Sequence, residues 1–312
     1  MMDFKHISVL LEESVEFLNV KPDGVYVDGT LGGGGHSELI LKRLGENGRL
    51  IGIDRDMTAI RAASERLNCF GEKFIPVHDN FKNVKKVLKN LNIEKIDGAI
   101  LDLGVSSPQL DNGERGFSYN YDARLDMRMN KEDKLSAFEV VNTYPEERLK
   151  KIIYDYGEER FAGAIARKII EARNIKEIET TFELSDIIKS AMPAKERFKD
   201  KHPAKRTFQA IRIEVNGELE LLKPAIRDFV DVLKPGGVLA VITFHSLEDR
   251  IVKLEFSDFA KGCECPKSFP VCVCGKEPVV RLVNKKPVVS GKKELDENYR
   301  AHSAKLRAVE KI

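Results

Sequence analysis

Asp28, Asp54 and Asp102 each close a short apolar run, and after the first of them comes an unbroken block of glycine, Gly32, Gly33, Gly34 and Gly35. Glycine in such a block weakens a strand or helix, but it lets a backbone turn sharply and lie against a ligand. Two nucleotide ligands use loops of this kind. A dinucleotide site wants Gly-x-Gly-x-x-Gly, whose last glycine permits close helix packing, and after Gly32 and Gly34 that position is Ser37. A phosphate-cradling loop needs Gly-Lys-Ser/Thr, and no lysine follows until Lys42. Both phosphate readings fail on residues. What remains is a ligand touched by close backbone approach without pyrophosphate and with an acid at the strand end, as S-adenosylmethionine is held by many methyltransferases. Asp54 lies roughly 20 residues beyond the loop, where doubly wound folds set a carboxylate on ribose hydroxyls. Alone it would read as a solvated loop acid; with the glycine loop before it, ribose binding is favoured.

These residues need a sheet to position them. Val25-Tyr26-Val27-Asp28 reads as a strand, and Leu39, Ile40, Leu41 and Leu44 give the following helix an apolar stripe before Gly45 ends it. Arg49 to Asp54 is the second strand, Met57 to Leu67 a helix with Ile60, Ala63 and Leu67 on one face, and Phe74-Ile75-Pro76-Val77 the third strand. Ile96 to Gly104 is the fourth, containing Asp102, and Val238 to Phe244 the fifth. Ligands in open α/β sheets bind outside the carboxyl ends of strands, so Asp28, Asp54 and Asp102 should converge there. Phe81, just past strand three, either covers a flat adenine or staples the helix from Val84 to Leu91. Ser106-Ser107-Pro108-Gln109 after strand four is an extended loop pinned by its proline. His245 and Arg250 belong to the same edge, and Ser246 with Asp249 has the form of a capping box. Ahead of the first strand, Ser8 to Phe17 fits a helix, and His6 before it reads as a surface histidine.

From Asp111 to about Lys205 the charges rise and helical periodicity replaces strands. Glu114-Arg115-Gly116-Phe117 and Arg124-Leu125-Asp126-Met127-Arg128-Met129 interleave arginine with aromatic and thioether side chains. That mixture suits stacking on bases and pairing with phosphates, or equally an ion-paired loop packed on a helix. Helices are expected at Leu149 to Tyr156, Glu159 to Arg173 and, capped by Thr180 or Thr181, Phe182 to Ala191. Lys205 and Arg206 sit in the densest local positive charge. Apolar residues from Phe208 to Leu233 keep helical spacing, with Pro224 starting a second helix or a kink, and Lys234-Pro235-Gly236-Gly237 forms a turn. The expected architecture is an α/β core, residues 1–110 and 207–312, with a helical domain, 111–206, inserted after strand four.

A chain of 312 residues with 42% hydrophobic residues can bury ample core, and its formal charge of +2 announces no global attraction to nucleic acid. An RNA-binding surface must be local. The longest apolar run, Val238 to Phe244, is too short to span a bilayer, and the start of the chain lacks a secretory apolar segment, so a cytoplasmic protein without membrane attachment is expected. Of 5 cysteines, Cys69 stands alone, while Cys263, Cys265, Cys272 and Cys274 form two Cys-x-Cys pairs. Tetrathiolate zinc is one reading of the four, but structural zinc usually takes Cys-x2-4-Cys, because two intervening residues let both sulfurs face one ion, so reduced thiols in a loop are the favoured reading and the chemistry is assigned no metal. A strand at Val279 to Val283 precedes a basic tail with Arg300, Lys305 and Arg307, which touches RNA phosphates or forms a solvated face.

Taken together, the chain resembles, nearly end to end, the RsmH (MraW) family of ribosomal RNA methyltransferases. The resemblance rests on Asp28-Gly29-Thr30 with Gly32 to Ser37, Asp102-Leu103-Gly104-Val105-Ser106-Ser107-Pro108-Gln109-Leu110-Asp111, Glu114-Arg115-Gly116-Phe117-Ser118 and Leu125-Asp126-Met127-Arg128-Met129. It continues through Tyr156-Gly157-Glu158-Glu159, His202-Pro203-Ala204-Lys205-Arg206, Phe208-Gln209-Ala210-Ile211-Arg212, Phe244 to Arg250 and Lys305-Leu306-Arg307. It implies a Rossmann-like class I S-adenosylmethionine-dependent methyltransferase that methylates N4 of a cytidine in the decoding region of small-subunit (16S) rRNA. The substrate would be that rRNA or the 30S subunit, with no obligate protein partner. The family's cofactor contacts would fall on Gly34, Gly35, His36, Asp54, Phe81, Asp102 and Gln109. The cysteine cluster is not part of the family pattern.

The exocyclic amine of cytosine is a poor nucleophile because its lone pair is delocalised into the ring. Methylating it needs acceptors that draw out the amine hydrogens and favour a pyramidal nitrogen. Ser106-Ser107-Pro108 stands where amino-methyltransferases carry an Asn/Asp/Ser-Pro-Pro-aromatic loop, although Gln109 replaces the second proline. Asp102 and Ser107 are therefore the expected catalytic residues, and Arg115, Lys205 and Arg206 the expected phosphate contacts. Two other classes share the pocket: an amino-methyltransferase acting on DNA or a small molecule, distinguished by substrate preference, and a non-catalytic RNA-binding or assembly factor that binds the cofactor without turnover.

Overall fold

The computed structural model describes residues 8–105, 113–197, 202–266, 269–271 and 273–312. The chain divides into two compact units, Met1–Gly104 with Leu219–Ile312, and Val105–Glu218.

The first unit is built on the expected parallel strands, β1 (Val25–Asp28), β2 (Arg49–Asp54), β3 (Phe74–His78), β4 (Ile96–Asp102) and β5 (Leu233–Thr243). Two more follow, β6 (Val280–Leu282) and β7 (Lys305–Lys311), and the sheet order is β3-β2-β1-β4-β5-β7-β6. The five crossover strands pair parallel, while β7 runs antiparallel to both β5 and β6. That is a Rossmann-like open sheet, parallel through five strands and closed by an antiparallel pair. Because side chains alternate along a strand, the sheet buries a separate core on each face. Tyr26, Leu50, Ile100 and Ala240 face one side, where α1 (Leu11–Leu18), α2 (Gly35–Arg43) and α3 (Met57–Leu67) supply Val15, Ile40, Leu41, Ile60, Ala63 and Leu67. Val27, Ile51, Ala99, Leu101 and Val241 face the other, covered by Val87 and Leu88 of α4 (Val84–Asn90) and by the helices after the insertion.

The second unit is helical, with its own core. It comprises α5 (Ala137–Thr143), α6 (Glu146–Gly157), α7 (Ala162–Arg173), α8 (Thr181–Ala191), the single turn α9 (Ala194–Arg197) and α10 (Lys205–Asn216). The unit boundary falls after α10, between Glu218 and Leu219. Of the two candidate caps of α8, Thr180 does the capping, in a box with Glu183. Thr181 is buried; its Oγ1 donates to the Tyr121 carbonyl at 2.6 Å and accepts from the Ala123 amide at 3.1 Å. The first unit then resumes with α11 (Glu218–Val232), α12 (Ser246–Ala260) and α13 (Lys292–Glu297).

Four local expectations are corrected. The long helical stretch breaks at Gly217, whose φ of +61° ends α10 in the left-handed conformation, and Pro224 lies inside α11. Lys234 to Gly237 is a bulge within β5, between the pairs Ile96 with Leu233 and Gly98 with Val238. The box at the start of α12 is one residue earlier than expected: His245 is the cap, and Glu248, not Asp249, closes it. Finally, the basic tail is the inner strand β7. Lys305 and Arg307 reach Asp249 at 2.9 and 2.7 Å, so Asp249 is an ion-pair partner and not a capping residue.

Candidate active site

The carboxyl ends of β1, β2 and β4 lie side by side, with Asp28 paired to Gly52 and Ile100 and Asp102 to Ile242. The glycine loop is threaded between them by its own backbone. The Gly29 amide donates to the Ile100 carbonyl at 2.9 Å and the Leu31 amide to the Ile53 carbonyl at 3.0 Å. The Asp102 amide donates to Thr30 Oγ1 at 2.6 Å, and the Gly32 amide to Asp54 Oδ2 at 2.8 Å. Glycine is required at two places here for different reasons. At Gly29 a Cβ would lie 2.4 Å from Leu101 Cδ2, so the chain passes too close to the core for a side chain. At Gly34 the φ of +76° is the left-handed conformation that lets the loop turn into α2.

The three aspartates are brought together as expected but do different things. Asp28 is 2% exposed and accepts from the Thr30 amide at 3.1 Å and from Ser37 Oγ at 2.8 Å. Burial, reinforced by the charge of Asp54, pushes its carboxyl up to about 6 against those hydrogen bonds. Asp54 accepts from the Gly32 and Asp56 amides, both at 2.8 Å; burial nevertheless raises it above the usual carboxylate range. Asp102 is the least satisfied. Although 24% of its side-chain surface reaches solvent, Oδ1 is buried and has no hydrogen-bond partner among the described residues. Burial, then the charges of Asp28 and Glu248, raise this carboxyl well above its ordinary value.

His36, the second residue of α2, has its ring buried, with Nε2 3.2 Å from the Val9 carbonyl and Nδ1 3.8 Å from Asp102 Oδ2. Phe81 is half-buried against the core, and the Cβ that Gly29 lacks would come within 3.2 Å of Phe81 Cβ. Thus Gly34, Gly35, His36, Asp54, Phe81 and Asp102 gather at one edge. Ser107 and Gln109, with Ser106 and Pro108, lie outside the described residues, as does His6. Reasoning from sequence missed Ser37, which orients Asp28, and Glu248. The Glu248 carboxylate is buried, accepts from the Phe244 amide at 2.9 Å and adds its charge to the field on Asp102.

In the second unit the interleaved arginines are largely structural. Arg115, expected on RNA phosphates, is 6% exposed and donates to the Arg128 and Met129 carbonyls at 2.8 and 3.1 Å, so its charge is used within the loop. Arg128 grips Asp126 with two bonds of 2.8 Å. Lys205 and Arg206 are exposed, Arg206 also donating to the Glu158 carbonyl at 3.0 Å.

An α/β sheet with a glycine loop and unsatisfied acids at its carboxyl edge is common to many enzymes, and comparison with known proteins separates them. A family model described as the MraW methylase family matches residues 3–312. The chain belongs to that family. Full-length relatives agree. The Ribosomal RNA small subunit methyltransferase H of Clostridium botulinum (strain Kyoto / Type A2) is 59% identical over 311 residues, covering 100% of both chains. Proteins of the same name from Ruminiclostridium cellulolyticum and Lachnospira eligens are 55% and 56% identical, each covering 100% of this chain and 100% and 99% of their own. In this methylase no helix among the described residues is long and apolar enough to cross a membrane.

Proposed function

We propose that the chain is a cytoplasmic small-subunit ribosomal RNA methyltransferase that methylates N4 of a cytidine in the decoding region. The substrate class is supported by the full-length relatives, each called Ribosomal RNA small subunit methyltransferase H. The methyl donor is S-adenosylmethionine, which supplies an electrophilic methyl group on a sulfonium. The carboxyl edge of the sheet fits it: the loop at Gly34 and Gly35 offers backbone without side chains, and Asp54 stands at the position suited to ribose hydroxyls. Phe81 provides an aromatic surface beside the loop. The donor carries net positive charge, so the carboxyls of Asp28, Asp54 and Asp102 form a complementary field. Their ionised forms, disfavoured in the free protein, become favoured when a cation enters.

The chemistry rests on one observation, the buried Asp102 Oδ1 without a hydrogen-bond partner among the described residues. An amine hydrogen of cytosine meets an acceptor there whose desolvation cost has already been met by folding. Drawing that hydrogen out of the ring plane localises the nitrogen lone pair. Ser107 would be the second acceptor, and Lys205 and Arg206 would hold RNA phosphates.

The test is Asp102→Asn. The amide keeps the shape but loses the anionic acceptor, so single-turnover methyl transfer should fall by about 10²-fold or more while cofactor affinity changes by less than about tenfold. Unchanged turnover refutes the role in chemistry. Loss confined to cofactor affinity assigns Asp102 to the cofactor instead.

A further inference from the structure

Between α12, which ends at Ala260, and β6, which begins at Val280, there is no helix or strand among the described residues from Lys261 to Val279. Uninterrupted loops of this length are uncommon in compact domains unless something other than hydrophobic burial organises them. Apolar packing does not: Phe269, Val271 and Val273 are 50%, 70% and 73% exposed. What the loop does bring together is sulfur. The Sγ atoms of Cys263, Cys265 and Cys274 all lie within 4.8 Å of one another, and those of Cys263 and Cys274 are 3.8 Å apart. Cys272 lies outside the described residues. The spacing argument against convergence therefore does not hold. A Cys-x-Cys pair can turn both sulfurs the same way when the backbone folds over them.

The separation is informative. Zinc–thiolate bonds of about 2.3 Å in a tetrahedron put neighbouring sulfurs about 3.8 Å apart. A second observation concerns the backbone. The Cys265 amide donates to Cys263 Sγ at 3.4 Å, the Glu264 amide to Cys274 Sγ at 3.4 Å and the Val273 amide to Cys265 Sγ at 3.3 Å. Each of the three sulfurs thus accepts a main-chain N–H. A neutral thiol is a weak acceptor and gains little from this, whereas a thiolate is stabilised by each such donor, and donors in the shell behind the ligands orient them toward an ion. A third concerns anchoring. Lys276 spans Asp258 of α12 and Glu264 of the loop at 3.1 and 2.7 Å, and the Val279 amide donates to the Phe259 carbonyl at 2.8 Å, so both ends of the loop are fixed to one framework.

We propose that Cys263, Cys265 and Cys274 form a thiolate site for a zinc ion that organises this loop, remote in role from methyl transfer. Soft thiolate ligands select thiophilic metals, and zinc suits a tetrahedral arrangement without redox chemistry. Binding converts three thiols to thiolates, forms three sulfur–zinc bonds and releases three protons to solvent; the fourth tetrahedral position is left to a further donor.

The experiment uses the full chain, purified under reducing conditions, stripped with a chelator, reloaded with zinc sulfate and desalted. Elemental analysis should find about one zinc per chain in the wild type and less than about a tenth in Cys263→Ser/Cys265→Ser/Cys274→Ser, whose circular dichroism should match the wild type because these residues lie on the surface. Cobalt substitution should give sulfur-to-cobalt charge-transfer absorption in the wild type alone, and metal loading should slow proteolysis within the loop. Zinc below about a tenth per chain after reloading, equal zinc in the triple variant, or cobalt spectra without sulfur ligation overturns the proposal. So does a disulfide among these cysteines that persists under the reducing conditions.

Discussion

Asp28→Asn isolates the electrostatics of the strand-end site. Asp28 is 2% exposed, so its carboxyl is sheltered from solvent screening, and burial holds it at about 6 against an ordinary 3.8. At about 1.4 kcal/mol per pH unit this corresponds to about 3 kcal/mol between the fully protonated and fully ionised folded states. The sign follows from the direction. A carboxyl that titrates higher in the folded than in the unfolded chain binds an extra proton on folding, so its stabilisation is complete below the ordinary value and lost as pH rises through about 6. Asn disturbs the hydrogen bonds from Thr30 and Ser37, but that cost does not vary with pH. Urea unfolding of both proteins should therefore show the wild type losing about 3 kcal/mol relative to the variant between about pH 3 and pH 7.5. A difference that is flat over this range, or grows in favour of the wild type, refutes the reasoning. In the same account S-adenosylmethionine, a cation, should bind more weakly as pH falls below about 6, by up to about tenfold per unit, and the variant should lose the part of this dependence that Asp28 carries, keeping what Asp54 and Asp102 contribute.

Gly34→Ala forces a Cβ into a φ of +76°, with Leu67 Cδ1 at 3.3 Å, and should cost about 1–2 kcal/mol in unfolding free energy together with a measurable loss of cofactor affinity by calorimetry. Arg307→Met removes the guanidinium from Asp249. Burial works against that carboxylate's charge, while Arg307 and Lys305 hold it below the usual range, so urea unfolding should register a loss of about 2–4 kcal/mol, with RNA affinity unchanged if β7 is core and not an RNA contact. Lys205→Glu, at an exposed position, should weaken small-subunit rRNA binding without altering unfolding, and reduce the slope of log affinity against log salt by about 1.

The parallel sheet was legible because each strand is a short apolar run ending in an acid or turn, and the helices of the second unit because their apolar residues keep a period near 3.6. The break at Gly217 was hidden because Phe208, Ile211, Val215, Leu219 and Leu222 carry that period straight across it. Strand β7 was hidden for another reason. Lys305 and Arg307 read as solvent-facing until Asp249 is placed opposite them, a pairing across more than fifty residues that no local pattern encodes. Arg115 misled in the same way, since its carbonyl partners are backbone atoms of the loop it stabilises. At the candidate site, residue types announced the three aspartates, but their environments did not. The rise at Asp102 comes first from burial, then from Asp28 and from Glu248, and Glu248 reaches it only through the packing of α12 after β5.

The most direct test of the account is methyl transfer from labelled S-adenosylmethionine to unmethylated 30S subunits and to their naked rRNA, followed by digestion and mass spectrometry of the labelled nucleoside. Label on N4 of a decoding-region cytidine is the predicted result, and the better acceptor identifies the substrate state. Label on a ring carbon or a ribose oxygen, or cofactor binding without transfer to either RNA, contradicts it.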